Sequence, residues 1–340
     1  MHLPDSLETS PHDRHPLAAA VRAIGRGPGR GRPLSEAEAE AVVSAILAGD
    51  AAPEQVGALL MLWRFRGEGP AETAGMVRAV RRHHGLPRAA GVELDWPSYA
   101  DGALRTPPWF LAAAKLVALA GVRTALHGPL VGEGRHTIAP TLAALGIAIS
   151  ATPSATLTFC PTAAVMPGLD ALLALRGVLG LRSPLNTVAR LVNPFAAPVS
   201  IDGVFHPPYI DLHLGAARHL GLHRLGVLKG GGGEAMRTAL KPVQLFVSDH
   251  GVVSDAVWPA LTPGITGHAL GLDDPGGWIA SVWRGEQEDA RGAATAIGTA
   301  AMALFLTGRA ASPGAADAVA TELWQSRPRD PTQWPAAPCH

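Results

Sequence analysis

The chain has 340 residues and carries 28 basic and 28 acidic side chains, so its formal net charge is zero. This balance excludes a protein that binds nucleic acid through its overall charge, and a hydrophobic content of 47% excludes a disordered or fibrous chain. The two cysteines, Cys160 and Cys339, are too few for a disulfide framework and favour a reducing, cytoplasmic setting. We expect no signal peptide and no membrane-spanning segment, because no apolar stretch is long enough to cross a bilayer.

Helical periodicity dominates the first part of the chain. Ser35 is a suitable N-cap for a helix with glutamates in its first turn, and Gly49 is a suitable stop for it. Pro53 and Pro70 each mark the first turn of a further helix. The predicted helices cover residues 17–24, 36–48, 53–67 and 70–82. We therefore predict a small all-helical domain over residues 15–90, preceded by a disordered N-terminus over residues 1–14.

From residue 92 the pattern changes to short apolar runs that alternate with helical segments, which is typical of βαβ units and a mostly parallel sheet. The predicted strands cover residues 92–96, 122–125, 156–159, 199–201, 224–228, 243–247 and 252–257. The predicted helices cover residues 109–120, 138–145, 169–175, 208–220, 278–306 and 313–324. The fold class is thus α/β, with a larger α/β domain over residues 91–327. Part of residues 165–195 is a candidate for the helical domain, and the Pro-rich residues 328–340 are predicted to form a loose tail.

The most informative local feature is a run of four glycines, Gly230 to Gly233, between a predicted buried strand and Glu234. Such a run is costly in conformational entropy unless the backbone needs positive φ or a close approach to a neighbour. At the carboxyl end of a strand, its N–H groups would face the edge where α/β proteins bind ligands. The alternative is a flexible surface loop.

Several segments resemble glycosyltransferase family 3, the family of anthranilate phosphoribosyltransferase and pyrimidine nucleoside phosphorylase. They are the helical module over residues 34–82, His127 and Gly128 after the second predicted strand, the segment from Arg176 to Leu181 (RGVLGL), and Asn193 with Pro194. The resemblance covers residues 15–325. It implies the two-domain fold described above, with a mostly parallel sheet in the larger domain, and a homodimer.

The chain also departs from the pattern of that family. The diphosphate loop Gly-Thr-Gly-Gly-Asp-Gly is replaced by residues 98–103, which include Tyr99, and Asn-x-Ser-Thr is replaced by Pro-Trp-Phe-Leu at residues 108–111. Lys-His-Gly-Asn becomes Leu-His-Gly-Pro at residues 126–129, and His-Pro becomes Met-Pro at residues 166–167. The Asp-Glu pair that holds magnesium becomes Gly233 and Glu234. These departures predict that an activated sugar is not gripped in the usual way, and no catalytic residue is assigned.

Candidates for contact with a ligand or a phosphate remain at these motifs. They are Tyr99, Asp101, His127, Gly128, Arg135, Arg176, Lys229, Gly230, Gly231, Gly232 and Glu234. Arg176 matches the arginine that recognises the anthranilate carboxylate in the family, whereas a structural role is the alternative for His127. Tyr99 and Asp101 lie where a substrate loop is expected, and a self-packed loop that fills the site is the alternative for both. Glu234 is a weak candidate for a metal ligand, because magnesium sites use several oxygen ligands. No cofactor is expected. Magnesium is expected only if the chain is an enzyme.

The departures, together with Asp95, Trp96 and Pro97, are similar to the YbiB-like branch of the family, which is associated with nucleic-acid binding without sequence specificity. The candidates for such binding are Arg22, Arg26, Arg30, Arg32, Arg78, Arg81 and Arg82. Solvated surface charges are the alternative for these arginines. The resemblance therefore implies a homodimer that binds nucleic acid or another polyanion. The alternative is a phosphoribosyltransferase that transfers a phosphoribosyl group from phosphoribosyl pyrophosphate (PRPP) to an acceptor other than anthranilate.

Overall fold

The computed structural model describes residues 16–27, 29–88, 90–100, 106–130, 138–262 and 272–333. These residues form two compact units, one of residues 16–86 with Gly168–Val192 and one of Pro87–Pro167 with residues 193–333. Asp101, Arg135 and the predicted N-terminal segment 1–14 lie outside the described residues. Within the described ranges, no helix combines the length and the apolar character needed to cross a membrane.

The elements follow in chain order. They are α1 (Pro16–Gly25), α2 (Glu36–Ala48), α3 (Pro53–Arg66), α4 (Pro70–His83), β1 (Leu94–Pro97), α5 (Trp109–Leu119), β2 (Thr124–Gly128), α6 (Ala139–Ala144), β3 (Ala148–Ile149), β4 (Leu157–Pro161), α7 (Thr162–Val165), α8 (Pro167–Ala174), α9 (Arg176–Leu179), α10 (Leu185–Leu191), β5 (Val199–Val204), α11 (Pro208–Leu220), β6 (Arg224–Lys229), β7 (Val243–Asp249), β8 (Val252–Trp258), α12 (Pro275–Arg284), α13 (Ala290–Leu306) and α14 (Pro313–Ser326).

The helical unit confirms the predicted N-terminal helices as α1 to α4. At the start of α2, Ser35 and Glu38 form a capping box, and Gly49 ends the helix with a φ of 81°. Helices α2 and α4 approach so closely that a Cβ at Gly75 would collide with the carbonyl of Glu36. The short helices α9 and α10 were not predicted from the sequence, because their runs of 4 and 7 residues are too short to show helical periodicity.

A buried glutamate organises the helical unit. The Glu72 side chain is 1% exposed and accepts hydrogen bonds from the backbone N–H groups of Leu34 and Gly69 and from the Trp63 indole, each at 2.8 Å. The Arg66 guanidinium completes the set at 2.5 Å. A buried carboxylate is tolerated only when it is paired and hydrogen-bonded in this way, so Glu72 joins α3, α4 and the segment before α2.

The α/β unit is built on one sheet of eight strands in the order β3-β4-β2-β1-β5-β6-β7-β8. Strands β1 to β6 are parallel, and β7 and β8 form an antiparallel hairpin at one edge. The hairpin turns at His250 and Gly251, whose φ values of 47° and 83° suit the tight turns that match strand twist. All seven predicted strands are confirmed to within a few residues, and the two-residue β3 was missed.

Two predictions for the C-terminal part of this unit are wrong. The single helix predicted over residues 278–306 is two helices, because Gly285 ends α12 in a left-handed conformation and Asp289 caps the start of α13. Residues 328–333 of the predicted loose tail pack on the unit, where Pro328 and Pro331 accept hydrogen bonds through their carbonyl groups. Proline prevents these residues from continuing a helix but leaves their carbonyls available as acceptors. The remaining residues of the predicted tail, 334–340, lie outside the described part.

Candidate functional site

The carboxyl ends of five parallel strands form one edge of the sheet. Strands β1, β2, β4, β5 and β6 end there at Pro97, Gly128, Pro161, Val204 and Lys229. Ligands of open α/β sheets bind outside this edge. The sequence candidates Tyr99, His127, Gly128, Glu234 and the glycine run all lie at or just beyond it.

A chain of buried polar side chains runs beneath this edge. The Tyr99 hydroxyl is 2.9 Å from Nδ1 of His127 and 3.1 Å from Oγ1 of Thr162. On its other side, Nε2 of His127 is 3.2 Å from Oδ1 of Asp95, whose second oxygen accepts a hydrogen bond from Ser200 at 3.3 Å. The tautomer of His127 sets whether Nδ1 or the Tyr99 hydroxyl donates, and the Tyr99 and Thr162 hydroxyls can each donate to the other.

Tyr99 is a core residue in this arrangement. Only 1% of the residue is exposed, and His127 is fully buried. The backbone next to Tyr99 is also held in place, because the Ser98 N–H donates to the carbonyl of His127 at 2.8 Å. A Cβ at Gly128 would collide with the Ser98 carbonyl, so the glycine is required by packing. The structural alternative for His127 and Gly128 therefore has direct geometric support.

Glu234 holds the same loop from the other side. Its carboxylate is 1% exposed, and Oε1 accepts a hydrogen bond from the Ala100 N–H at 2.6 Å. Gly203 at the end of β5 lies against the backbone of Glu234, where a Cβ would collide. A carboxylate that accepts a backbone N–H in a buried setting makes a strong, charge-assisted hydrogen bond. Glu234 thus holds residue 100, shortly after the end of β1.

The glycine run forms an ordered turn in which the N–H groups of Gly230, Gly231 and Gly233 have internal acceptors. Gly230 donates to the carbonyl of Val204 at 3.0 Å, and Gly231 donates to the carbonyl of Met236 at 3.1 Å. A turn of 3-10 helix covers Gly231–Gly233, with a φ of 66° at Gly232. A Cβ at Gly230 would collide with the Glu234 carbonyl. The glycines are therefore explained by the tight turn itself, and Lys229 before them is exposed.

The chemistry of the edge is limited by burial. Next to His127 on the sheet lies Cys160, whose thiol has its pKa raised to about 12 by burial and by Asp95, so it is neutral and inert at neutral pH. Among the described residues, no group of three or more His, Cys, Asp or Glu side chains is placed to hold a metal ion. The described part of the chain therefore does not supply the several oxygen ligands that a magnesium site uses.

Some buried polar residues of the edge were not chosen as site candidates from the sequence. Thr162 and Ser200 belong to the chain described above, and Asp202 on β5 lies 2.8 Å from Nδ1 of His213 on α11. Asp202 and His213 are both buried. The available signal was a charged residue inside an apolar strand, as at Asp95 and Asp202, because a carboxylate in such a position requires a partner.

The remaining candidates lie in the helical unit. Arg176 begins α9 and is half-buried. Arg32, Arg78 and Arg82 pair with Glu38, Glu36 and Glu40 of α2 respectively. The Arg32 guanidinium, through its hydrogen bond, lowers the pKa of Glu38 to about 2.

The other arginines of the helical unit differ in their surroundings. Arg81 donates to the carbonyls of Val192 and Leu191, so it has a structural contact. Arg22 is exposed and has a contact of its own, whereas Arg26 and Arg30 are exposed and form no ion pair with any described residue. Arg26 and Arg30 are therefore the arginines that the described surface leaves open to an anion.

Comparison with known proteins identifies a matching family and relatives of this chain. The family described as "Glycosyl transferase family, helical bundle domain" matches residues 20–84. The anthranilate phosphoribosyltransferase of Synechococcus sp. (strain CC9311) is 30% identical over 291 residues, which are 79% of this chain and 82% of that relative. The anthranilate phosphoribosyltransferase of Rubrobacter xylanophilus is 34% identical over 208 residues, and there the match spans 59% of this chain and 61% of the relative, which is less than two thirds of its length.

Solved structures agree on the fold. Anthranilate phosphoribosyltransferase from Thermus thermophilus matches with a TM-score of 0.73 at 23% identity, covering 92% of this chain and 95% of that chain. The Saccharomyces cerevisiae protein in complex with PRPP and Mg matches with a TM-score of 0.72 at 16% identity, covering 91% of this chain and 93% of that chain. With its helical N-terminal unit, its mostly parallel sheet and its relatives of 30% identity or more, the chain belongs to glycosyltransferase family 3, the family of anthranilate phosphoribosyltransferase.

Proposed function

We propose that this member of the family does not transfer phosphoribosyl groups and instead binds polyanions, most readily nucleic acid, without sequence specificity and as a homodimer. The observation that supports this most is the burial of Tyr99. Its hydroxyl is bonded to His127 and Thr162, and its loop is held from the other side by Glu234. Phosphoribosyl transfer relies on donor groups that position a diphosphate and stabilise the charge of the transition state.

The neighbouring segment supports the same conclusion. In the place of the family's amide and hydroxyl donors stand Pro108, Phe110 and Leu111, all buried, and Trp109 between them is 3% exposed. The Trp109 ring lies against Gly292, where a Cβ would collide with it. These side chains are therefore part of the core and have no polar group to offer a phosphate, apart from the indole N–H of Trp109.

The proposed anion surface centres on Arg26 and Arg30. Their guanidinium groups are exposed, and the planar fork of arginine suits phosphate oxygens. Arg32, Arg78 and Arg82 contribute if phosphate displaces the glutamates of α2. Exposed ion pairs contribute only about 0 to 1 kcal/mol, so this exchange costs little.

An exposed apolar group supports the homodimer. Phe65 at the end of α3 is 93% exposed, and Val178 and Leu181 at and after α9 are 83% and 57% exposed, all in the helical unit. Large exposed apolar side chains are typical of protein contact sites. Light scattering during gel filtration should give twice the mass of one chain, and Phe65→Ser should shift the mass toward one chain. A monomeric wild-type protein would contradict this part of the proposal.

Nucleic-acid binding is tested by salt dependence. The probe is a labelled single strand of about 30 nucleotides, which is long enough for several sites of the size that single-strand-binding proteins use. Its fluorescence anisotropy is measured at several salt concentrations with the wild-type protein and with the double variant Arg26→Ser/Arg30→Ser. The double variant Arg284→Ser/Arg309→Ser is the matched control. We expect the first variant to weaken binding and to reduce the slope of log K against log salt by about 1.4, since each of two phosphate contacts with a single strand contributes about 0.7. Binding that does not depend on salt, or that weakens equally in the control, would refute the proposal.

The second candidate is a phosphoribosyltransferase with an acceptor other than anthranilate. It is favoured by the relatives named as anthranilate phosphoribosyltransferases and by the yeast structure with PRPP and Mg. The described residues do not fit a magnesium site, because no group of three or more of their His, Cys, Asp or Glu side chains is placed to hold an ion, and Glu234 already accepts the Ala100 N–H. We therefore derive no step through magnesium, and it would be needed only under this alternative.

Calorimetry separates the two candidates. PRPP is titrated with Mg²⁺ into the wild-type protein and into Glu234→Gln, and the folding of each is checked by circular dichroism. Our proposal expects no saturable heat. Saturable heat in the wild-type protein that disappears in a folded Glu234→Gln would favour the transferase instead.

A cytoplasmic location remains a prediction from cysteine usage.

A further inference from the structure

Strand β8 lies at the edge of the sheet and is unusually apolar for its position. It pairs with β7 on one side, and no strand of the described residues pairs with it on the other. Along it, Val252 is 72% exposed, Val253 is 46% exposed and Val257 is 63% exposed. An edge strand presents backbone N–H and C=O groups that can pair with another chain.

The usual protections of an edge strand are sparse in β8. Its 7 residues contain no proline and no lysine. The one charged side chain is Asp255, which is exposed and accepts a hydrogen bond from Gln244 of β7 at 2.7 Å. Natural edge strands are commonly shortened or carry proline, lysine or a bulge that prevents pairing. Among the described residues, β8 is therefore exposed for an added strand from Val252 to Asp255 and at Val257, whereas Trp258 at its end is buried.

The register shows which side chains would meet that strand. Val253, Asp255 and Val257 lie opposite Ser248, Phe246 and Gln244 of β7. Residues two apart on a strand share a face, so these three form a row with the carboxylate between two valines. A strand added in the antiparallel direction would place three of its own side chains directly opposite them.

Charge argues against a second copy of this chain as the occupant. A two-fold antiparallel pairing that places Val253 opposite Val257 also places Asp255 opposite Asp255 of the second copy. Like charges directly opposite each other on a sheet are destabilising. Shifting the register by two residues places Val253 opposite Asp255 and loses the contacts between valines.

We propose that β8 is a docking edge for an extended segment of a partner protein in which a basic residue is flanked, two positions away on each side, by β-branched apolar residues. The backbone pairing would supply affinity, and the valine–aspartate–valine row would supply selectivity. The interaction is independent of the polyanion function proposed above, because it uses none of the arginines of the helical unit.

The test uses the full chain and a blocked peptide, Thr-Val-Thr-Lys-Thr-Val-Thr, with a second peptide that has Glu in place of Lys. Backbone amide shifts of the isotope-labelled protein are followed while each peptide is added. We expect saturable shifts confined to β8 and its neighbours, with the Lys peptide binding at least about threefold more tightly, in line with the energies of cross-strand charge pairs. Asp255→Lys should reverse the preference between the peptides, and Asp255→Asn should reduce it. Val257→Lys should weaken the binding of both.

Three results would overturn the proposal. They are no shift at β8 with either peptide at millimolar concentration, equal binding of the two peptides, and a wild-type protein that already self-associates through β8. Self-association through β8 is recognised if Val257→Lys lowers the mass of the assembly and Phe65→Ser does not. A second copy of this chain would then be the occupant of β8. Because Asp255 and Val257 are exposed, both variants are expected to fold, and circular dichroism verifies this.

Discussion

Lys115 offers a quantitative test of how the C-terminal segment is attached. It is fully buried on α5, and its ammonium donates to the carbonyl of Leu145 at 3.1 Å and to that of Pro331 at 2.5 Å. Burial lowers its pKa from 10.5 to about 8, although Asp330 acts in the opposite direction. The folded protein therefore holds this proton less tightly than the unfolded chain does.

The sign and the size of the pH effect follow from that shift. Between about pH 8 and pH 10.5 the unfolded chain binds more protons at this lysine, so the free energy of unfolding rises with pH across that window. With those two pKa values, the rise from pH 7 to pH 9.5 is about 2 kcal/mol. Cys160 acts in the opposite sense above about pH 9, because burial raises its pKa to about 12 and the unfolded thiol ionises first.

The assay compares wild-type protein with Lys115→Met in urea at intervals from pH 7 to pH 9.5, with the exposed Lys241→Met as control. At each pH the difference between wild type and Lys115→Met cancels the contribution of Cys160. We expect that difference to change by about 2 kcal/mol in favour of the wild type as the pH rises, and the control to follow the wild type. A constant difference would show that Lys115 is not buried as a shifted ammonium, and the attachment of residue 331 would need another explanation.

Three further substitutions test the site and the helical unit by urea denaturation. Tyr99→Phe removes the hydroxyl that joins His127 to Thr162 and should lower the free energy of unfolding by about 1 to 3 kcal/mol; no change would contradict the buried polar chain. Gly203→Ala places a methyl group against the Glu234 backbone and should cost about 1 to 3 kcal/mol, whereas a neutral effect would show that the loop is looser than described. Glu72→Gln should cost about 3 kcal/mol, against less than about 1 for the more exposed control Glu36→Gln; equal costs would contradict the organising role of Glu72.

The elements were predictable from sequence where a local signal marked both ends. Helix α2 was predicted with its observed bounds because Ser35 caps it and Gly49 stops it. The predicted helix over residues 278–306 failed at residues 284–289, a polar segment between two apolar helical patterns, where Gly285 ends one helix and Asp289 caps the next. The two-residue β3 carries too few residues for any periodicity.

Predicting the geometry of the site was harder, because its decisive contacts join residues far apart in the chain. The glycine run is significant in the sequence, but glycines are required both by a tight turn that bonds to its own neighbours and by a loop that binds a ligand. Only the bonds of Gly230 and Gly231 to Val204 and Met236 separate the two interpretations. Likewise, Tyr99 in a loop suggested either a ligand contact or a self-packed loop, and its partners His127 and Thr162 lie 28 and 63 positions away.

Two separate contacts hold residues 99 and 100 after β1, so both would have to be released before this segment could move. Tyr99 anchors residue 99 to β2 and the start of α7, while Glu234 anchors residue 100 through its backbone N–H. Loss of either device leaves the other in place, so a single substitution is expected to destabilise the loop without opening it. Under the proposed function, a cleft for an activated sugar would require release of both contacts and new donor groups on the loop. Under the same proposal, the contacts of His127 with Tyr99 and Asp95 give it a structural role beneath the edge.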